Sequence, residues 1–217
     1  MELSLSEKYC LSTMNEQGLL PYINDVSLGM ASARLVDLVN YGVIEVIDGK
    51  ARILKNLDYR LDFLYPLYQM ICRNPKLKIL SEFYAITWRR EYINELTNNI
   101  RNSLIEKGCM KEDSKRSRGT RTIYILNGNV TNPIVDSMIN AAEYHEDEQS
   151  AIDLICLLYF SGMLKRHFRG IHFDNVKRFA KCMRNRFSFQ AANYMLMHIN
   201  QQLAGYRLVA VMPKRKY

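Results

Sequence analysis

The sequence predicts a mainly α fold, a single-domain helical core carrying two small β-hairpins. Three observations point there. Apolar residues recur at steps of three and four in several windows, the spacing of one helical face. The β-rich runs are short, and a helix–Gly–hairpin order occurs twice, at residues 28–54 and 89–126. Of 217 residues 48% are apolar, with fourteen Tyr and eight Phe, which suits a substantial core and argues against disorder.

The elements follow in order. A first helix is expected over residues 4–14. The next covers 28–41, where Leu28, Ala31, Leu35 and Leu38 share one face and Gly42 stands at the place of a left-handed C-cap. Residues 43–46 and 51–53 then flank Asp48-Gly49, a strong two-residue hairpin signal. A helix at 58–73 contains Pro66, which should kink or divide it. Asn74-Pro75 separates it from a helix at 76–87, because a residue before proline avoids the α region. A long helix at 89–107 ends at Gly108 and feeds a hairpin at 109–126 with the polar run 111–122 at its tip. Asn132-Pro133 marks the start of a helix at 131–143, where proline lacks only an orphan donor. The uncharged stretch 154–164, inside a helix at 148–164, falls short of the roughly 20 residues a bilayer span needs and reads as a core helix. Helices at 173–184 and 188–203 complete the chain, with Ser188 as an N-cap. No long linker interrupts the pattern, so residues 1–217 are expected to form one domain.

The charge is lopsided. Residues 1–110 carry 13 Lys+Arg and 13 Asp+Glu, whereas residues 111–217 carry 17 and 9. From Ser161 onward twelve basic residues face one acid, Asp174. A single-sign field of this size implies an anionic partner, whether phospholipid, nucleic acid or acidic protein; the plain alternative is a solvated surface. Catalytic, cofactor and metal sites are not expected. The five cysteines are scattered without zinc spacing, which suggests reduced thiols, and no phosphate-binding glycine loop, GxSxG elbow or HExxH is present. His167 and His172 have only Asp174 as a nearby carboxylate in sequence, and His145 stands in an acidic run. The first ten residues include Glu2, Glu7 and Lys8 where a leader would be apolar, so a cytoplasmic location is expected.

SLGMASARLVDLVNYGVIEV, residues 27–46, resembles the opening module of the Golgi phosphoprotein 3 family, a small-residue helix that runs directly into a hairpin. Leu3 to Met14, Leu61-Asp62, LIEKG at 104–108 and LICLLYFSGMLKRHF at 154–168 resemble further segments in the family's order, so the resemblance spans roughly residues 3–186. It implies a helical fold and non-catalytic, peripheral binding of anionic membrane lipid on a cytosolic face, phosphatidylinositol 4-phosphate in eukaryotic members. The family's headgroup pocket uses a tryptophan before the module's helix, an arginine on it and two arginines on the long central helix. Those positions are Tyr22, Ala31, Asn94 and Thr97 here, so three cations are missing. A shifted anion site is expected instead. Arg34 follows Ala31 by one turn, and Arg90 and Arg101 flank Asn94 and Thr97 on one helical stripe, with the latter two as hydrogen-bond donors. The alternative pairs these arginines with Glu91, Glu95 or Asp37. The family's arginine-rich N-terminal tail has no counterpart before the first helix, which suggests a divergent, bacterial-type member. The hairpin at 109–126 corresponds to an oligomer contact in the family, and its edge near Ile123, Tyr124 and Ile125 is suited to pair with another strand. A homo-oligomer through that hairpin is therefore expected.

Two stretches suit membrane contact. Leu19 and Leu20 lie in the loop Gly18 to Tyr22, where they either enter an interface or pack beneath the following helix. Lys177, Lys181 and Arg184 recur at helical spacing opposite Val176, Phe179 and Met183, next to Lys165-Arg166-His167-x-Arg169. The bland reading of that helix is a packed surface element. Two other functions compete: a winged-helix-like nucleic-acid-binding protein, and a protein-interaction scaffold. Against the first, the helix at 28–41 carries Arg34 alone as a cation.

Overall fold

The computed structural model describes residues 2–15, 17–21, 24–47, 50–73, 90–114, 122–144 and 148–183, with backbone alone at 24–25 and 90–93. The expected helices at 76–87 and 188–203, the Asp48-Gly49 turn and the hairpin tip at 115–121 lie outside the described residues.

Among the described residues the architecture is mainly α with two small antiparallel hairpins. The order is α1 (Leu5–Thr13), α2 (Asn24–Asn40), β1 (Ile44–Ile47), β2 (Lys50–Ile53), a 3-10 segment (Tyr59–Leu64), α3 (Tyr65–Arg73), α4 (Arg90–Glu106), β3 (Met110–Glu112), β4 (Tyr124–Leu126), α5 (Gly128–Tyr144), α6 (Gln149–Phe160), a 3-10 turn (Leu164–Arg166) and α7 (Gly170–Met183). Pro66 does divide its segment: the 3-10 stretch gives way to α3 one residue before it. Pro133 instead lies inside α5, which begins at Gly128, earlier than its proline suggested. The helix gains its start from Asn127, whose side-chain oxygen accepts the Asn129 N–H at 3.1 Å.

Helices α1, α2 and α6 pack against one another, and α6 also packs on α5 and α7. Every residue of α6 from Ala151 to Leu158 is buried, as expected of a core helix. The Leu28, Ala31, Leu35 and Leu38 face of α2 is buried too, but so are Met30, Ser32, Ala33, Arg34, Val36 and Asp37. A helix buried all round is a core element rather than an amphipathic one. Its small residues allow this. A Cβ on Gly29 would collide with the Tyr9 hydroxyl, so the Tyr9 ring of α1 rests directly on the α2 backbone.

Both hairpin-bearing helices stop at a left-handed glycine. Gly42 has φ 63° and Gly108 φ 67°. The Val43 N–H returns to the Leu38 carbonyl at 2.9 Å, and the Cys109 N–H to the Leu104 carbonyl at 2.8 Å. The strands that follow pair as expected, with Ile47 opposite Lys50 in the first hairpin and Met110 opposite Leu126 in the second. No described helix is long and apolar enough to cross a membrane.

Helix α1 is held at both ends by side chains distant in sequence. At its start Ser4 and Glu7 form a capping box. Asp37 of α2 accepts the N–H groups of Leu5 and Ser6, each at 2.9 Å. Glu7 also accepts from Lys107 and Ser103, each at 2.7 Å. At its end Arg166 donates to the Thr13 carbonyl and His167 Nε2 to the Ser12 carbonyl. Carboxylates at the N-terminus and donors at the C-terminus complement the helix dipole. Part of the basic cluster at 165–169 therefore serves the fold.

Candidate functional site

A pocket lies where the loop before α2, the first turns of α2 and α4 converge. Leu20 and Pro21 come from the loop, and Val26, Ser27 and Met30 from α2. Asn94, Leu96, Thr97 and Arg101 of α4 form the facing wall. Three of the six residues expected to bind ligand, Asn94, Thr97 and Arg101, are thus brought together, on the stripe their spacing suggested. The pocket encloses about 80 Å³. By a measure that gives one enclosed water about 10–15 Å³, this accommodates a phosphate-sized group and not a whole sugar ring.

Arg101 is half-buried and supplies the cation. Its guanidinium sits 5.2 Å from the centre of the Tyr124 ring, and Nη1 reaches Asn98 Oδ1 at 3.5 Å. Its Nε is buried without a hydrogen-bond partner among the described residues. Arg34 departs from expectation. It lies fully buried behind the pocket wall rather than on the wall, because α2 is enclosed on every side. Its Nη2 donates to the carbonyl of Leu96, a wall residue, while Nε and Nη1 have no described partner. Burial pushes its guanidinium down to about 9, with Cys10, Asp37 and Glu95 pulling the other way, so it keeps its charge at neutral pH. The expected alternative, ion pairing with Asp37, is not what the geometry gives: both Asp37 oxygens are engaged on α1. Among the described residues neither Arg34 nor Arg101 is salt-bridged. Buried donors of this kind need an explanation.

The other expected residues fall as follows. Tyr22 and Arg184 lie outside the described residues, and Arg90 opens α4 with its side chain not described. The loop before α2 is not a free apolar finger. Asn15 Oδ1 accepts the Gln17 and Leu19 N–H groups at 2.9 Å each, Leu19 is half-buried and Leu20 packs on the core. On α7, Val176 and Phe179 are buried, so the apolar face that was to enter a membrane is already spent on the core. What α7 offers is its charged face. Lys181 is exposed, and Lys177 Nζ lies 5.5 Å from the Phe173 ring centre, with Lys165 Nζ at 5.8 Å. The edge of β4 is also less available than expected, since the Tyr124 N–H donates to the Gln17 carbonyl at 3.0 Å. Self-association through that edge has to displace the Gln17 loop.

Helix α2 is buried from Leu28 to Leu38, so its side chains there, Arg34 included, face the core rather than a groove. His172 pairs with Glu143 at 2.6 Å and His167 with Ser12, so the two histidines do not converge. Burial, with Arg166 beside it, lowers the His167 imidazole. All five cysteines are unpaired. No described group of three His, Cys, Asp or Glu side chains has the arrangement of a metal site. Sequence reasoning missed Ser27 and Met30, which line the pocket, and Tyr124, whose ring carries Arg101. Tyr124 had no local signal, because it comes from the far strand of the second hairpin. The chain matches no protein-family model and no curated protein.

Proposed function

We propose that this protein is a non-catalytic, peripheral binder of anionic phospholipid on the cytosolic face of a membrane, and that the pocket between α2 and α4 receives the headgroup phosphate. One observation carries the reading: Arg101 lines a phosphate-sized pocket with a buried Nε that has no partner among the described residues, and Arg34 stands behind the wall with two more such nitrogens. An oxyanion in the pocket takes the Arg101 donors in charge-assisted bonds, which are about twice as strong as neutral ones. Asn94 and Thr97 line the wall beside it. The volume favours a phosphomonoester, such as the 4-phosphate that the family resemblance implies, entering alone while the ring stays outside. The formal charge of +8 adds long-range attraction to an anionic surface.

Co-sedimentation with vesicles tests this. Vesicles of phosphatidylcholine alone are compared with vesicles containing phosphatidylinositol 4-phosphate or phosphatidic acid, beside a DNA shift at matched salt. The protein is expected to sediment with the anionic vesicles, less as salt rises. Arg101→Ala should weaken binding by roughly tenfold. Arg34→Met should weaken it too while changing stability by only about 1 kcal/mol, since an apolar side chain of similar size removes a buried charge. Equal sedimentation with neutral vesicles, or unchanged binding by Arg101→Ala, overturns the proposal. Tighter binding to DNA than to any vesicle gives the protein to nucleic acid instead.

A further inference from the structure

We infer that the open cleft between the end of α1, the first turns of α5 and the Leu164–Arg166 turn is a second anion site, one that takes a phosphate ester carrying an apolar body. The cleft holds about 530 Å³, several times the α2–α4 pocket and within the range of small-molecule sites. Its lining is two-sided. Leu11, Met14, Ile134 and Val135 supply apolar surface, while Lys165 and Arg169 stand at the edge. Among the described residues no carboxylate lines it. Arg166 and His167 lie between those two cations and are tied to the last carbonyls of α1. That tie fixes the turn from which both cations project, so the backbone that carries them need not be ordered on binding. Among the described residues Lys165 and Arg169 have no ion-pair partner, and both are exposed. Basic side chains gathered within five residues repel one another, and an anion in the cleft relieves that repulsion. The apolar floor favours an amphiphilic ester over a bare polyanion. The cleft is separate from the α2–α4 pocket but shares a loop with it: Asn15 lines the cleft, and Leu20 and Pro21 line the pocket.

Calorimetric titration in the Arg101→Ala background isolates this cleft from the pocket. The probes are glycerol 3-phosphate, a free phosphate ester, and dihexanoyl phosphatidic acid, the same phosphate on a lipid body. The Arg101→Ala protein is expected to bind the lipid saturably, and glycerol 3-phosphate about tenfold more weakly for want of apolar contact. Adding Lys165→Glu and Arg169→Glu should weaken lipid binding by roughly tenfold or more. Both side chains are exposed, so the melting temperature should hold; Arg166 and His167 are left in place because α1 depends on them. Should charge reversal disturb the fold, Lys165→Gln with Arg169→Gln is expected to weaken binding in the same direction. The inference is overturned if the Arg101→Ala protein binds neither probe, or if both charge variants bind as it does. Equal affinity for the two probes removes the apolar body from the assignment. Failure of the α2–α4 proposal reads out separately, as vesicle binding that ignores Arg101.

Discussion

Gly42 and Gly108 stop their helices with the same turn, yet the helices they stop live in different surroundings. α2 is buried from Leu28 to Leu38. α4 buries a narrow stripe, Leu96, Thr97, Ile100 and Leu104, and exposes Asn94, Glu95, Asn98 and Asn102. Counted back from the glycines, the two units can be laid side by side. Five residues before each glycine stands a side chain that grips the start of α1: Asp37 on the Leu5 and Ser6 N–H groups, Ser103 on Glu7. Thirteen residues before stand Gly29, beneath the Tyr9 ring, and Glu95, in solvent. The half-exposed helix carries the polar wall of the pocket, and the enclosed helix carries the buried charges. The cap is a property of a few consecutive residues; what the helix does is a property of what surrounds it.

The largest effect expected on this comparison comes from the pair gripping α1. Asp37→Ala leaves two buried N–H groups without acceptors and should cost about 3 kcal/mol in denaturant unfolding. Ser103→Ala should cost about 1 kcal/mol, because Glu7 keeps Lys107 and Ser4. Equal losses would show that the two grips are equivalent after all.

Asp37 also gives a pH signature. Burial raises its carboxyl from 3.8 to about 6, against the hydrogen bonds from Ser6 and Leu5 that lower it. Its folded pKa is thus above its unfolded one, so the folded state holds the extra proton between those values. Its contribution to stability is fully present below 3.8 and is lost as pH rises through about 6. Asp37→Asn should remove this dependence, so the stability difference between wild type and variant moves in favour of wild type as pH falls across that window. Unfolding curves at both ends of the window check this. A difference that stays flat with pH would mean that Asp37 titrates normally.

The next pair tests packing. Gly29→Ala puts a Cβ 2.5 Å from Tyr9 Cζ on a fully buried ring and should cost about 2 kcal/mol. Glu95→Ala, at the matching place on α4, should stay within about 0.5 kcal/mol. The smallest difference belongs to the caps. Gly42→Ala and Gly108→Ala each force a left-handed alanine, with no atom of another described element nearer than 3.9 Å to either new Cβ. Each should cost about 1 kcal/mol. A gap between their unfolding free energies as large as that loss would show that the hairpins, and not the glycines alone, set the cap energies.

Much of the chain's architecture can be read locally. The stops at Gly42 and Gly108, the division at Pro66 and the pairing of both hairpins follow from signals confined to a few residues, where backbone sterics decide the outcome. The alignment of Asn94, Thr97 and Arg101 follows from helical spacing, and the structure puts that stripe on a pocket wall. Other features were legible only as composition. The absence of charge from 154 to 164 marks a core helix, but Arg34 and Asp37 hide the enclosure of α2, since each looks like a surface residue in a periodic pattern. Phe179 and Val176 suit a membrane face as well as the favoured packed face, and packing against α5 and α6 buries them. Sequence by itself determined the stops at Gly42 and Gly108 and which residues share a stripe, because those depend on φ and on a fixed rise per residue; it ran the helix at 148–164 past Phe160, where α6 ends two residues before the left-handed Gly162. Only the tertiary structure decided that Asp37 caps a helix 31 residues away, that Arg166 and His167 close its other end, and that Arg34 stands charged behind a pocket. Those contacts join side chains that no local periodicity relates, and they form because buried N–H and C=O groups must find partners wherever the packed chain supplies them.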